Sequence, residues 1–163
     1  MIQILEGTVF IENKEIFLKK IKEISMRKNL AIQAFDADKL AGKEHLTFAI
    51  EKALDSFKKG TNVANDLAKE IMLYAAGTRQ IKRALKIGVH DGLNNIAIVA
   101  VGEMTDLSAF DEIMPGNVLQ YSISKDSALM DIFNITEEEI EAAGADKILE
   151  LVLERVALVD VIK

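Results

Sequence analysis

The chain has 163 residues, half of them hydrophobic and 28% charged, which describes a globular protein with a core of ordinary size and not a disordered segment. It contains no cysteine, so disulfides, thiolate metal sites and cysteine nucleophiles are excluded, and its net charge of −6 argues against a general nucleic-acid binder. That total conceals a division: residues 1–102 carry 16 Lys/Arg against 12 Asp/Glu, and residues 103–163 carry 4 against 14, so the front suits an anionic partner and the back either a basic partner or none, its acidity then serving solubility.

The start, Met1-Ile2-Gln3-Ile4-Leu5-Glu6, lacks the basic region and apolar run of a signal peptide, and no apolar run nears the ~20 residues of a membrane span. A soluble cytoplasmic protein with no membrane partner is expected. Residues 1–12 alternate loosely and predict one strand or a short hairpin through Gly7. Ile16, Phe17, Ile21 and Ile24 predict an amphipathic helix over 15–26, and residues 30–35 a short buried strand. Over 42–59, Leu46, Ala49, Ile50, Ala53, Leu54 and Phe57 fall on one helical stripe that Lys58-Lys59-Gly60 closes. Asn62 or Asn65 is expected to cap the next helix, over 64–76, with Leu67, Ile71, Tyr74 and Ala75 facing inward.

At Gly77 this pattern stops, and it restarts after Thr78. Gly suits a left-handed turn and Thr an N-cap, so the corner reads as helix, sharp turn, helix. In the second helix Arg79, Lys82, Arg83 and Lys86 stand at i, i+3, i+4 and i+7, one face of a 3.6-residue repeat, while Ile81, Ala84, Leu85 and Gly88 can face a core. A basic stripe beside a helix start is a phosphate-site pattern, and it equally describes a solvated helix face. If all four cations met phosphates of one strand, the salt slope would be roughly −3, a site for a few nucleotides. Tyr74 and Ile81 could add apolar contact to a base or serve as core residues.

Residues 89–95 read as a polar loop, and 96–101, uniformly apolar and β-rich, as a central strand. A short helix over 106–114, a turn at Pro115-Gly116-Asn117, and an edge strand or extended loop at Val118, Tyr121 and Ile123 follow. A helix over 126–133 comes next, then a capping box, Thr136 with Glu139, opening a brief helix that ends at Gly144. The last helix, 148–159, carries Ile148, Leu149, Val152, Val156 and Val159 on one stripe, with Leu151, Leu153, Leu158 and Val161 largely off it. Such a helix is either central or buries a second face against a partner. The whole predicts one mixed α/β domain over 1–163, a small mixed sheet packed with several helices.

Catalytic groups are scarce. His45 lies inside an amphipathic helix and reads as structural; His90 with Asp91 reads as an active-site loop or, more simply, a helix-to-strand turn. No P-loop, dinucleotide fingerprint or nucleophile elbow occurs, and Glu137-Glu138-Glu139 suits a helix dipole better than a cation. No catalytic residue, metal site or cofactor is expected, and the protein reads as a binding module and not an enzyme.

Tyr74-Ala75-Ala76-Gly77-Thr78-Arg79-Gln80-Ile81 with Ala84 and Gly88 resembles the central motif of the kinase-binding small subunit of the KEOPS (EKC) complex. The likeness extends over Glu44-His45-Leu46 with Ala49 and Ala53, Asn65, Phe133-Asn134-Ile135-Thr136-Glu137-Glu138-Glu139 and Leu153-Glu154-Arg155-Val156-Ala157-Leu158, which is nearly the whole chain in order. The resemblance implies a non-catalytic subunit of the machine that makes threonylcarbamoyl-adenosine in tRNA. It implies two partners: the small atypical kinase/ATPase subunit of that complex and the single-stranded CCA 3′ end of tRNA. The RNA role would fall on Gly77, Arg79, Gln80 and Ile81, with Lys82 and Arg83 as neighbours. The kinase contact is placed around Leu151, Leu158 and Val161, on the surplus apolar face of the last helix. A free-standing RNA-binding module, or a small enzyme using His90 and Asp91, are the alternatives.

Overall fold

Alternation along residues 2–11 sets the first half of the architecture. In the computed structural model, which describes residues 1–162, β1 (Ile2–Ile11) is one unbroken strand. Gly7 does not turn it. A Cβ there would lie 2.1 Å from the carbonyl oxygen of Met114, so Gly7 lets another strand's backbone pass at close range. α1 (Lys14–Lys28) follows, its N-terminus capped by the Asn13 side chain, which accepts from the N–H groups of Glu15 and Ile16, and its end closed by left-handed Asn29. β2 (Ala31–Asp36) and β3 (Gly92–Val101) complete the sheet, with a two-residue β4 (Met114–Pro115). The order is β2-β3-β1-β4 and every pairing is antiparallel, in registers such as Ile2↔Val101, Ile11↔Gly92 and Ala34↔Ile98. On one face Val9, Ile11, Ile32, Ile96, Ile98 and Ala100 form a core with Phe17, Ile21 and Ile24 of α1. Burying those three α1 side chains contributes about 2 kcal/mol each. Ala97 and Val99, on the other face of β3, are fully buried too, as expected of a central strand. Residues 1–37 and 88–118 make up this compact unit.

Two readings of this unit need correction. The expected polar loop over 89–95 is largely strand, because fully buried Asn94 satisfies the local backbone. Its side chain accepts from the His90 N–H and donates to the carbonyls of His90 and Gly92, so the ladder can begin at Gly92. The expected helix over 106–114 is only a 3₁₀ turn at Ser108–Phe110 followed by β4. Its buried residues, Leu107, Phe110 and Ile113, recur every three positions, the period of a 3₁₀ turn and not of an α-helix.

The second unit, Asp38–Ile87 and the chain from Leu119 onward, is helical. It holds α2 (Lys43–Lys59), α3 (Leu67–Ala75), α4 (Ile81–Ala84), α5 (Asp126–Phe133), α6 (Glu137–Ala143) and α7 (Ile148–Leu158). Leu46, Ala49, Ile50 and Ala53 of the predicted stripe are buried, and left-handed Gly60 ends α2 as expected. Asp66, not Asn62 or Asn65, caps α3, its carboxylate accepting from the Lys69 N–H, while the Asn62 amide is spent on the Ala64 carbonyl. The capping box at Thr136 and Glu139 forms in full. On α7 the stripe Ile148, Val152, Val156 and Val159 is buried. Residues 118–122 form no strand, so Val118 and Tyr121 lie in a loop that enters a 3₁₀ turn at Ile123–Lys125. No helix among the described residues is long and apolar enough to cross a membrane.

Candidate nucleic-acid interface

The corner after α3 is a Schellman motif. Gly77 is left-handed at φ 64°, its N–H donates to the Tyr74 carbonyl at 3.0 Å, and the Thr78 N–H donates to the Leu73 carbonyl at 3.1 Å. A Cβ on Gly77 would meet the Phe133 ring at 3.3 Å and Arg155 Cβ at 3.4 Å, so the corner packs directly on the ends of α5 and α7. Gly77→Ala is therefore expected to cost about 1–2 kcal/mol, from the left-handed backbone and the tight contact together. Thermal melting would check this as a Tm drop of several degrees.

The helix that follows is shorter than the charge pattern predicts. Thr78 is not its cap; its hydroxyl accepts from the Gln80 N–H within the turn, and extended Gln80 takes the cap position. α4 is a single turn, then a 3₁₀ turn at Leu85–Ile87. Only Ala84 and Ile87 are buried, whereas Ile81 and Leu85, expected inside, are 43% and 62% exposed. One turn offers too few inward positions to hold a longer helix. The four cations consequently do not share one helix face. Arg79 instead donates to the Val159 carbonyl at 3.3 Å, a cation at the C-terminal end of α7 where the dipole favours it. Tyr74, one turn earlier, is buried and donates its hydroxyl to Asp160, which Lys52 also pairs. Burial, with Asp160 beside it, pushes the Tyr74 phenol well above its ordinary range. The ring is thus closed to a base.

What the corner does form is a polar cleft of about 250 Å³, walled by Gly77, Thr78, Arg83, Lys86, Asp131, Asn134 and Arg155. Two residues underpin it. The ring of fully buried His45 lies edge-on to Phe133 with centroids 5.5 Å apart; its Nδ1 accepts from the Ala41 N–H and its Nε2 donates to the Ala75 carbonyl at the end of α3. Burial pushes its pKa down to about 4, so the neutral ring is a structural link, as the sequence indicated. Arg155 donates from Nε to the Phe133 carbonyl at 3.1 Å, from Nη2 to the Asn134 carbonyl at 3.3 Å, and from Nη2 to both Glu139 oxygens at 2.7 Å. Beside it the Glu139 carboxyl is held below its ordinary range.

The family described as "Kinase binding protein CGI-121" matches residues 10–160. The chain belongs to this family. It is also 31% identical over 138 residues to the "Regulatory protein Cgi121" of Methanocaldococcus jannaschii, covering 82% of this chain and 86% of that protein.

In this CGI-121 family member the fold sorts the residues singled out above. Gly77 and Arg83 line the cleft; Gln80, Ile81 and Lys82 are exposed beside it on the short turn; Arg79 is turned to α7. Lys86 of the predicted basic stripe lines the cleft too, and Thr78, Asp131, Asn134 and Arg155 join it without having been marked as ligand contacts. A signal did exist for Arg155, the sole cation in α7. Leu158 and Val161 are 43% and 72% exposed, whereas Leu151 is half-buried against the unit's own core. His90 and Asp91 do not pair through their side chains. The His90 Nε2 lies 3.5 Å from Asp36, and the Asp91 carboxylate accepts from the Lys14 N–H at the start of α1. Among the described residues no group of side chains is arranged to hold a metal ion.

Proposed function

We propose that this chain is a non-catalytic subunit of the tRNA threonylcarbamoyl-adenosine machinery, the KEOPS complex, working in the cytoplasm. In this reading it holds the single-stranded CCA end of tRNA at the Gly77 corner and binds the small atypical kinase through α7. The observation that carries the RNA half is the convergence of Arg83, Lys86 and Arg155 on one cleft, with exposed Gln80, Ile81 and Lys82 immediately before Arg83 in the chain. The cations meet phosphate, Ile81 offers a base an apolar surface, and Asp131 can accept from the amino groups that C and A carry. A volume of about 250 Å³ admits a single base and no duplex. The kinase half is supported by the family description and by the exposed apolar Leu158 and Val161 at the end of α7, with Leu151 behind them.

Arg79 is a poor test of this reading, because replacing it also releases Val159. The discriminating change is Arg83→Glu with Lys86→Glu, both exposed. Affinity for intact tRNA is expected to fall about tenfold to thirtyfold, and its salt slope to become shallower by about 1.4. The unaltered chain should bind tRNA lacking its CCA end as weakly as the variant binds intact tRNA. Equal affinity for trimmed and intact tRNA would overturn the end-binding role. For the partner, the cognate kinase should co-purify with the chain at micromolar concentration and be lost with Leu158→Glu; absence of any complex with the unaltered chain would sink the kinase role.

A further inference from the structure

A groove of about 520 Å³ runs between α2 and α7, away from the cleft. Glu44, Phe48 and Glu51 stand at i, i+4 and i+7 on one face of α2, and Glu150, Leu153 and Glu154 at i, i+3 and i+4 on one face of α7. Phe48 and Leu153 are half-buried and give the groove apolar surface; the four glutamates are exposed around them. Among the described residues only Glu150 has a cation within 4 Å, Lys147 at 3.8 Å in the turn just before its helix. Among the described residues Glu44, Glu51 and Glu154 have no ion-pair partner, so the groove is lined by carboxylates left largely uncompensated.

We propose that the groove seats a lysine- or arginine-bearing amphipathic helix of the partner kinase, a deepening that rests on the kinase-binding reading above. Charge complementarity selects the occupant: four carboxylates repel RNA, and their spacing forms no metal-holding group among the described residues. Apolar surface between two helices with acids on both sides matches a helix with an apolar ridge flanked by cations. The groove is also continuous with the kinase face proposed on α7. Glu154 lies one turn before Leu158 and one turn after Leu151, so these three share a flank of the helix. The contact would thus combine an apolar end with an acidic arm, and the arm would speed association and set its salt dependence.

The test is titration of the cognate kinase into the unaltered chain and into Glu51→Lys/Glu154→Lys, at low and at moderate salt, with Glu51→Gln/Glu154→Gln as the milder variant. Affinity should fall at least tenfold for the lysine pair, less for the glutamine pair, and the unaltered chain's salt sensitivity should largely vanish in both. tRNA affinity and Tm should stay unchanged, since both positions are exposed and outside the cleft. Kinase binding by the unaltered chain that both variants match overturns the groove and spares the kinase reading; no kinase binding by the unaltered chain fails that reading first. Self-association of the unaltered chain that the lysine pair abolishes assigns the groove to a second copy and overturns the proposal.

Discussion

Replacing Glu70 with Ala is expected to cost about 4 kcal/mol, among the largest effects of any single substitution in the chain. The carboxylate is buried at the first turn of α3, where it accepts from the Ser56 hydroxyl at 2.7 Å, from the Val63 N–H at 3.1 and 3.2 Å and from the Ala64 N–H at 3.0 Å. It therefore fastens the connection between α2 and α3 to both helices, and its position at the start of α3 adds a favourable dipole term. Removing it strands buried donors, each worth about 1–3 kcal/mol of lost satisfaction. Urea titration should show the lowered midpoint, and hydrogen exchange should quicken first at Val63 and Ala64. Glu70→Gln, which keeps an acceptor but loses the charge, should cost about half as much. An Ala variant within 1 kcal/mol of the parent would show that water or a rearranged loop replaces the carboxylate.

Acid should weaken the fold through His45. In the folded chain its pKa is about 4, against an ordinary value of 6.5 in the unfolded chain. Between these values the unfolded chain binds a proton that the folded chain refuses, so stability is full above pH 6.5 and falls as pH drops towards 4. The gap corresponds to about 3 kcal/mol, or about 10 °C in Tm for a chain of this size. Carboxylates contribute to the same acid transition, so the measurement is a difference: stability against pH for the parent and for His45→Gln. The variant should start lower at pH 7, having lost the fit between Ala41 and Ala75, and should show a shallower decline from pH 6.5 to 4. Parallel curves would mean that His45 does not titrate with unfolding.

How much of this was legible in advance follows the range of the interactions. α2 and α7 were readable because a long stripe at 3.6-residue spacing reports burial directly, and α6 because Thr136 and Glu139 satisfy each other within one turn. The central place of β3 was readable from its uninterrupted apolar run, but its beginning at Gly92 was not, because Asn94 looks like a loop residue until its side chain is seen closing the turn. The corner shows the sharpest limit. Gly77 was identified from local backbone chemistry, yet the periodicity of Arg79, Lys82, Arg83 and Lys86 concerns exposed residues, and exposed periodicity does not hold a helix together. Arg79 and Arg155 then acquired their roles from carbonyls 80 and 22 residues away in the chain, which no local pattern records.

Arg155 differs from the other two cations of the cleft in one consequential respect. Held by two carbonyls and both oxygens of Glu139, its guanidinium has one orientation before any ligand arrives. Arg83 and Lys86 are exposed and lose rotamer freedom on engaging a phosphate, a cost of about 0.5–1.5 kcal/mol each. The cleft is thus rigid on its α7 wall and compliant on its α4 wall, so ligands that differ in shape should be discriminated by the first and accommodated by the second.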